Sequence, residues 1–168
     1  MLKMKLMTYP LPMNSLKGKL SLMARPLGGD YLEEFIQDLQ PLQVTTLVSL
    51  LEPSEQYELG LTQQAHYCEK YGIHYINFPI PDRGLPSTPK AVDLAKQLLQ
   101  KLTQGEHVVV HCRAGIGRTG IIAGAVLVAS GIAPSTALQM ISKTRTVRVP
   151  DTEEQETWLL KLPNFLKQ

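Results

Sequence analysis

The chain has 168 residues, of which 43% are hydrophobic and 19% charged, with a formal net charge of +2. That is a globular composition with enough length to bury a proper core, and it predicts one domain over residues 1–168 rather than a disordered or fibrous chain. So small a net charge gives no reason to expect a nucleic-acid partner, and two cysteines, Cys68 and Cys112, exclude a disulfide framework. The charge is uneven: residues 1–29 carry Lys3, Lys5, Lys17, Lys19 and Arg25 with no acid, and the next forty residues carry eight acids with no Lys or Arg. The basic lead reads as a solvated edge, with LKGKLSLMA forming one or two edge strands. GGDYLEEFIQDLQ reads as a helix capped by Asp30, with Leu32, Phe35, Ile36 and Leu39 on its apolar stripe. VTTLVSLL is a buried strand, LGLTQQAHYCEKYG a helix ending at Gly72, and IHYINF the next strand. PIPDRGLPSTP is a loop dense in turn residues, and Thr88-Pro89 starts a helix that runs to Gly105. HVVVH is a strand, Thr119 to Ser130 a buried helix, Pro134 opens another helix, and Asp151 or Thr152 opens the last.

Strands and helices alternate over residues 30–130, which implies βαβ units and a mostly parallel sheet with helices on both faces. No Cys-x-x-Cys pair or His/Cys cluster points to zinc, so no metal or other cofactor is expected. MLKMKLMTYPLP lacks a signal-peptide run, and Ile121 to Ala129 is too short to span a membrane. The expected setting is therefore reducing and cytoplasmic, without integral membrane association.

The stretch from His111 to Gly120 reads HCRAGIGRTG and sits where such folds bind ligands, between the end of a parallel strand and the start of a helix. Gly115, Gly117 and Gly120 let the backbone turn tightly and aim successive N–H groups inward as an anion nest. The helix beginning near Arg118 adds its positive end, and Arg118 itself supplies a planar fork for two phosphate oxygens. Donors and positive charge around Cys112 favour thiolate over thiol, below a phosphate and in line for attack on phosphorus. A Walker-type loop is excluded because no Gly-Lys-Ser/Thr follows the glycines. The plain reading of Cys112 is a buried structural thiol ending a core strand.

The pattern His-Cys-x5-Arg-Thr-Gly resembles the signature of cysteine-dependent phosphatases, the protein-tyrosine and dual-specificity superfamily. The resemblance extends over a core of about residues 16–162 and implies the α/β, three-layer fold of that superfamily, a mostly parallel central sheet flanked by helices. It implies Cys112 as nucleophile, with Arg118 and the backbone of Arg113, Ala114, Gly115, Ile116 and Gly117 holding the phosphate. It implies Asp82 of PIPDRGLP as general acid, then base, although Pro-Asp-x-Gly is also a common turn. Thr119 would donate its hydroxyl to the departing thiolate, or else satisfy its own helix end. His111 would bond loop backbone, or else simply pack at a strand end. Gln155 would orient the attacking water, but Thr152-x-x-Gln155 also fits a capping box. Glu52 or Glu55 would brace Arg118 from behind, Glu55 matching the kinase-associated family better; the plain reading of either is a solvated helix-start carboxylate. Cys68 reads as a small core residue or as the partner of a protective disulfide with Cys112.

Within the superfamily the chain is most similar to the compact dual-specificity branch, notably the cyclin-dependent-kinase-associated phosphatases. That implies a monomeric, metal-independent phosphatase acting on phosphotyrosine and/or phosphoserine/threonine of a protein or peptide, with a kinase complex among its partners. Arg83, Lys143, Arg145 and Arg148 would form a basic rim that reads acidic flanks of a substrate, although Lys143 and Arg145 read better as partners of a helix dipole. Ile116 stands where phosphoinositide phosphatases often carry a second loop cation. The competing readings are a phosphoinositide or RNA 5′-phosphate phosphatase and a non-catalytic phosphate-binding or kinase-associated module.

Overall fold

The β-branched and leucine-rich runs form the strands, and the helical stripes cover them on both sides. The computed structural model describes residues 6–167. Its sheet has the order β1-β2-β5-β3-β4, where β1 is Tyr9–Pro10, β2 Lys19–Met23, β3 Thr46–Ser49, β4 His74–Asn77 and β5 His107–His111. Only β1 runs antiparallel; β2, β5, β3 and β4 are mutually parallel. Met23 pairs with His111, His111 with Ser49 and Ser49 with Asn77, so the four parallel strands end level. The segments that leave them start from one row, and the segment from Cys112 to Gly117 leaves from its middle.

The sheet's alternation divides the core. Leu20, Leu22, Val48, Val108 and Val110 face α4 (Thr88–Thr103), α5 (Gly117–Ala129), α6 (Pro134–Arg145) and α7 (Glu153–Lys161). Met23, Leu47 and Val109 face α1 (Leu32–Gln37) and α3 (Gln64–Lys70). A short α2 (Pro53–Glu58) lies between β3 and α3, and α8 (Pro163–Leu166) follows α7. Helix α5 is buried along nearly its whole length, which is why its sequence is apolar without a polar stripe. No helix among the described residues is long and apolar enough to cross a membrane.

Three expectations need correction. The stretch LKGKLSLMA is not at the edge: β2 lies between β1 and β5 and is almost fully buried, because the two-residue β1 covers its outer side. Lys3 and Lys5 lie outside the described residues. Asp30 caps nothing; it sits inside a one-turn 3₁₀ helix, Gly29–Tyr31, and α1 starts after Tyr31 with no side-chain cap. Cys68 packs with α3 in the cluster on one side of the sheet, whereas Cys112 belongs to the cluster on the other. A disulfide between them would have to cross the sheet. Cys68 is a fully buried core residue whose thiol burial pushes up to about 12.

Candidate active site

Four segments meet above the level strand ends. From β5 comes the loop of Cys112 to Gly117, which runs into α5. From β3 comes α2, with Glu55 in its first turn. From β4 the chain is held against the extension of β3: Phe78 N–H donates to Ser49 O at 2.8 Å and Ile80 N–H to Leu50 O at 3.0 Å. Asn77 adds donations to Ser49 O and Leu51 O at 3.0 and 3.2 Å. These bonds deliver PIPDRGLP to the mouth of the loop. From β2 comes Ala24–Arg25, whose backbone packs against Gly115.

Gly115 has φ +73°, and a Cβ there would stand 2.4 Å from Met23 O, so this position requires glycine on both counts. Gly117 and Gly120 differ from the expectation: they lie in α5 and are small to admit neighbours. A Cβ at Gly117 would meet Asp151 Oδ2 at 2.2 Å, and one at Gly120 would meet Val149 Cγ1 at 2.2 Å. Among the described residues, no acceptor takes the N–H of Arg113, Ala114, Gly115 or Ile116.

Arg118 leaves the first turn of α5 and is only 2% exposed. Its fork meets Glu55 in both arms, Nη1 to Oε1 at 2.7 Å and Nη2 to Oε2 at 3.0 Å. Nη1 also donates to Ile80 O at 3.0 Å, and Nη2 lies 3.2 Å from Asp82 Oδ1. Burial opposes the charge on Arg118, but the bond to Glu55, with the electrostatic pull of Cys112, Glu55 and Asp82, holds the guanidinium more firmly protonated than usual. Burial likewise opposes the charge on Glu55, and the bonds from Arg118 and the Glu52 N–H, with the charges of Arg118 and Arg113, outweigh it and keep the carboxyl ionised below the usual range. Glu55 is thus not a solvated helix-start carboxylate. It is both the helix-start residue, accepting from Glu52 N–H at 3.1 Å, and the brace on Arg118. Glu52 itself makes no contact with Arg118.

Cys112 is 3% exposed, at the base of the loop. His111 is fully buried behind it. Its Nδ1 bonds Cys112 O at 3.0 Å, and its Nε2 faces Gln64 Nε2 at 2.7 Å. Since Gln64 Nε2 can only donate, His111 Nε2 accepts and Nδ1 carries the proton, giving a neutral imidazole of fixed tautomer. Burial, with Arg118's positive charge and against the Cys112 bond, brings the ring's pKa down to about 4. Gln64 was legible as a polar residue on the otherwise apolar stripe of Leu61 and Cys68. Thr119 Oγ1 is buried without a hydrogen-bond partner, so the hydroxyl does not satisfy its own helix end.

Asp82 is exposed and borders Arg118. The Gly84 N–H closes a tight turn on Pro81 O at 2.7 Å, and a Cβ at Gly84 would stand 2.9 Å from that oxygen. Arg83 takes the left-handed conformation at φ 59°. Gln155 is buried and fills the capping box of α7, accepting from Asp151 N–H at 3.1 Å and Thr152 N–H at 3.3 Å. Its Nε2 reaches across to Gly84 O at 3.2 Å, so it also ties the Asp82 loop in place. Of the rim cations, Arg148 pairs with Glu156 at 3.2 Å, while Arg113 in the loop pairs with Glu58 at 3.0 Å and Glu55 at 3.6 Å. Arg145 turns inward to the loop's carbonyls. Among the described residues, no group of three or more His, Cys, Asp or Glu is clustered as a metal site requires.

Residues 16–162 match the family model described as "Swiss Army Knife protein, DSP-PTPase phosphatase domain". Among curated relatives, protein tyrosine phosphatase domain-containing protein 1 of Mus musculus is 32% identical over 116 residues, covering 63% of this chain. The match spans only 15% of that relative's length. Protein tyrosine phosphatase type IVA 3 of Bos taurus is 32% identical over 133 residues, 77% of this chain and 70% of that one. The fold matches a crystal structure of kinase associated phosphatase with its catalytic cysteine replaced by serine, at TM-score 0.90, 17% identity and coverage of 99% and 98%. It also matches PTPMT1 in complex with PI(5)P, at TM-score 0.73, 20% identity and coverage of 88% and 92%.

The depressed basicity of His111 predicts a pH effect on stability. Below its ordinary value of 6.5 the unfolded chain takes up a proton that the folded imidazole refuses until about pH 4. This contribution is present above pH 6.5 and is lost as pH falls through that window. The urea midpoint of the wild type should fall between pH 6.5 and 4, and His111→Asn should remove part of that slope.

Proposed function

The chain belongs to the DSP-PTPase phosphatase family, and on that premise we propose that it hydrolyses phosphate monoesters of proteins or peptides through a phosphocysteine intermediate. The observation that carries the reading is the meeting of two loops at Arg118: the guanidinium that closes the anion nest also touches the carboxylate of Asp82, 3.2 Å away. That contact supports Asp82 as the proton donor beside the phosphate clamp.

The steps follow from the placement of the groups. Phosphate binds to the loop amides and to Arg118, whose fork Glu55 holds in a fixed plane. The Cys112 thiolate attacks phosphorus, the P–O bond to the leaving group breaks, and Asp82 gives its proton to the departing oxygen. Water then attacks the phosphocysteine while Asp82, now ionised, accepts its proton. The S–P bond breaks and the electron pair returns to sulfur, where the unpartnered hydroxyl of Thr119 is available to donate to it. Gln155 serves this step by holding Gly84 and hence the base. The loop amides and Arg118 supply the charge stabilisation that magnesium gives in kinases.

The charges favour a monophosphorylated peptide over a polyphosphorylated headgroup. Arg113, the loop's other cation, is neutralised by Glu58 and Glu55, and Ile116 adds none. A lipid phosphate is the competing substrate, since a protein of the same fold has been seen with PI(5)P.

Cys112→Ser should abolish turnover and keep phosphopeptide binding in calorimetry, because the nest and Arg118 remain. Asp82→Asn should lower kcat by about 10²–10⁴-fold, as loss of a general acid does, and most for leaving groups of high pKa. Full activity of that variant on phosphoserine peptides would show that another group is the acid. Turnover of phosphotyrosine and phosphoserine peptides should exceed that of PI(5)P in one malachite-green assay, and the reverse order would assign the protein to lipid substrates.

A further inference from the structure

A nest that turns its N–H groups inward must turn its carbonyls outward, and buried carbonyls need donors from elsewhere. In this loop five consecutive carbonyls are satisfied from outside. Cys112 O takes His111 Nδ1 at 3.0 Å, Arg113 O takes Arg25 N–H at 3.1 Å, and Ile116 O takes Gly120 N–H at 2.9 Å. The two central ones meet a single side chain: Arg145 Nη2 donates to Ala114 O, on the exposed side of the loop, at 3.0 Å, and Nε to the half-buried Gly115 O at 3.1 Å. Arg145 comes from the last turn of α6, thirty residues away in sequence, and its guanidinium carbon lies 3.9 Å from the centre of the Tyr9 ring. Tyr9 is in turn pinned to the sheet, because β1 pairs with β2 through Tyr9–Leu22 and Leu11 N–H bonds Leu20 O at 2.9 Å.

We propose that Arg145, held by Tyr9, is the positioning residue that keeps the Ala114 and Gly115 peptides turned so that their N–H groups face the substrate phosphate. This rests on the catalytic reading of the loop given above. The geometry asks for arginine in particular. Two carbonyls one residue apart match two nitrogens of one planar fork, whereas a lysine ammonium is a point donor on a flexible stem. The free guanidinium has many rotamers, and stacking on a ring anchored to the sheet selects the one that serves both carbonyls. Without this brace each peptide can rotate about its flanking bonds, and a rotated peptide presents its oxygen, not its N–H, to the anion. The positive charge behind the loop adds to the attraction for phosphate.

The experiment compares wild type with Arg145→Lys, Arg145→Met, Tyr9→Leu and Tyr9→Phe. It measures kcat/KM on p-nitrophenyl phosphate, the dissociation constant of tungstate by calorimetry, and the thermal midpoint. Arg145→Met should weaken tungstate and lower kcat/KM by about tenfold or more, the scale of a lost charge-assisted hydrogen bond. Arg145→Lys should recover only part of this, Tyr9→Leu should shift both quantities the same way by less, and Tyr9→Phe should match wild type. A purely structural role would move the thermal midpoint and leave tungstate affinity of the folded fraction unchanged. Wild-type tungstate affinity in Arg145→Met, or equality of Arg145→Lys with wild type, overturns the proposal. Should Arg145→Met fail to fold, Tyr9→Leu decides: undiminished tungstate affinity there overturns it. Should the wild type bind tungstate and turn over no phosphate ester, the catalytic reading falls, and the tungstate series still decides on the brace.

Discussion

The pair between Glu55 and Arg118 is the contact on which the site's geometry depends. A guanidinium this deeply buried needs a partner, and leaving it unpaired costs about 3–5 kcal/mol in buried pairs generally. Glu55 meets it in both arms and so sets the plane of the fork as well as its charge. Because Arg118 belongs to α5 and Glu55 to α2, the bond ties the segment after β5 to the segment after β3. The same guanidinium then reaches Ile80 O and Asp82, which belong to the segment after β4. One side chain thereby aligns three of the chain segments that leave the level row of strand ends.

Around that contact the loop is governed by where its backbone groups point. Inward N–H groups can serve an anion only if the outward carbonyls are satisfied independently, and here they are bonded by a buried histidine, by the segment after β2, by the first turn of α5 and by Arg145. On the catalytic reading proposed above, a loop held in this way by its neighbours would meet charge on phosphoryl oxygens without reorganising. The same economy of charge bears on substrate. On the proposed function, Arg113 is the loop's other cation, and it is drawn to Glu58.

The alternation of strand and helix, the phosphate loop and the aspartate loop were legible because each is a local pattern: β-branched runs, helical stripes, glycines beside a cysteine, prolines around an acid. The failures share a cause. Asp30 has the composition of a cap, but the chain enters α1 through a 3₁₀ turn. Lysines 17 and 19 suggested an edge, yet β2 is interior because a two-residue strand covers it. Gln155 offered a cap and a catalytic amide as alternatives; the fold uses the cap and adds a tie to Gly84, which sequence spacing does not contain.

By itself the sequence determined the parallel architecture, the position of Cys112 and Arg118 at a strand-to-helix turn, and the resemblance that the family match bears out, since all of these are written in patterns spanning about ten residues or fewer. What only the tertiary structure decided was which distant groups meet: Glu55 rather than Glu52 behind Arg118, Gln64 behind His111, Arg145 and Tyr9 behind the loop, and a sheet between Cys68 and Cys112. Such contacts join residues up to 136 positions apart, as Tyr9 and Arg145 are. They depend on strand order and on where each strand ends, and residue spacing along the chain carries no record of either.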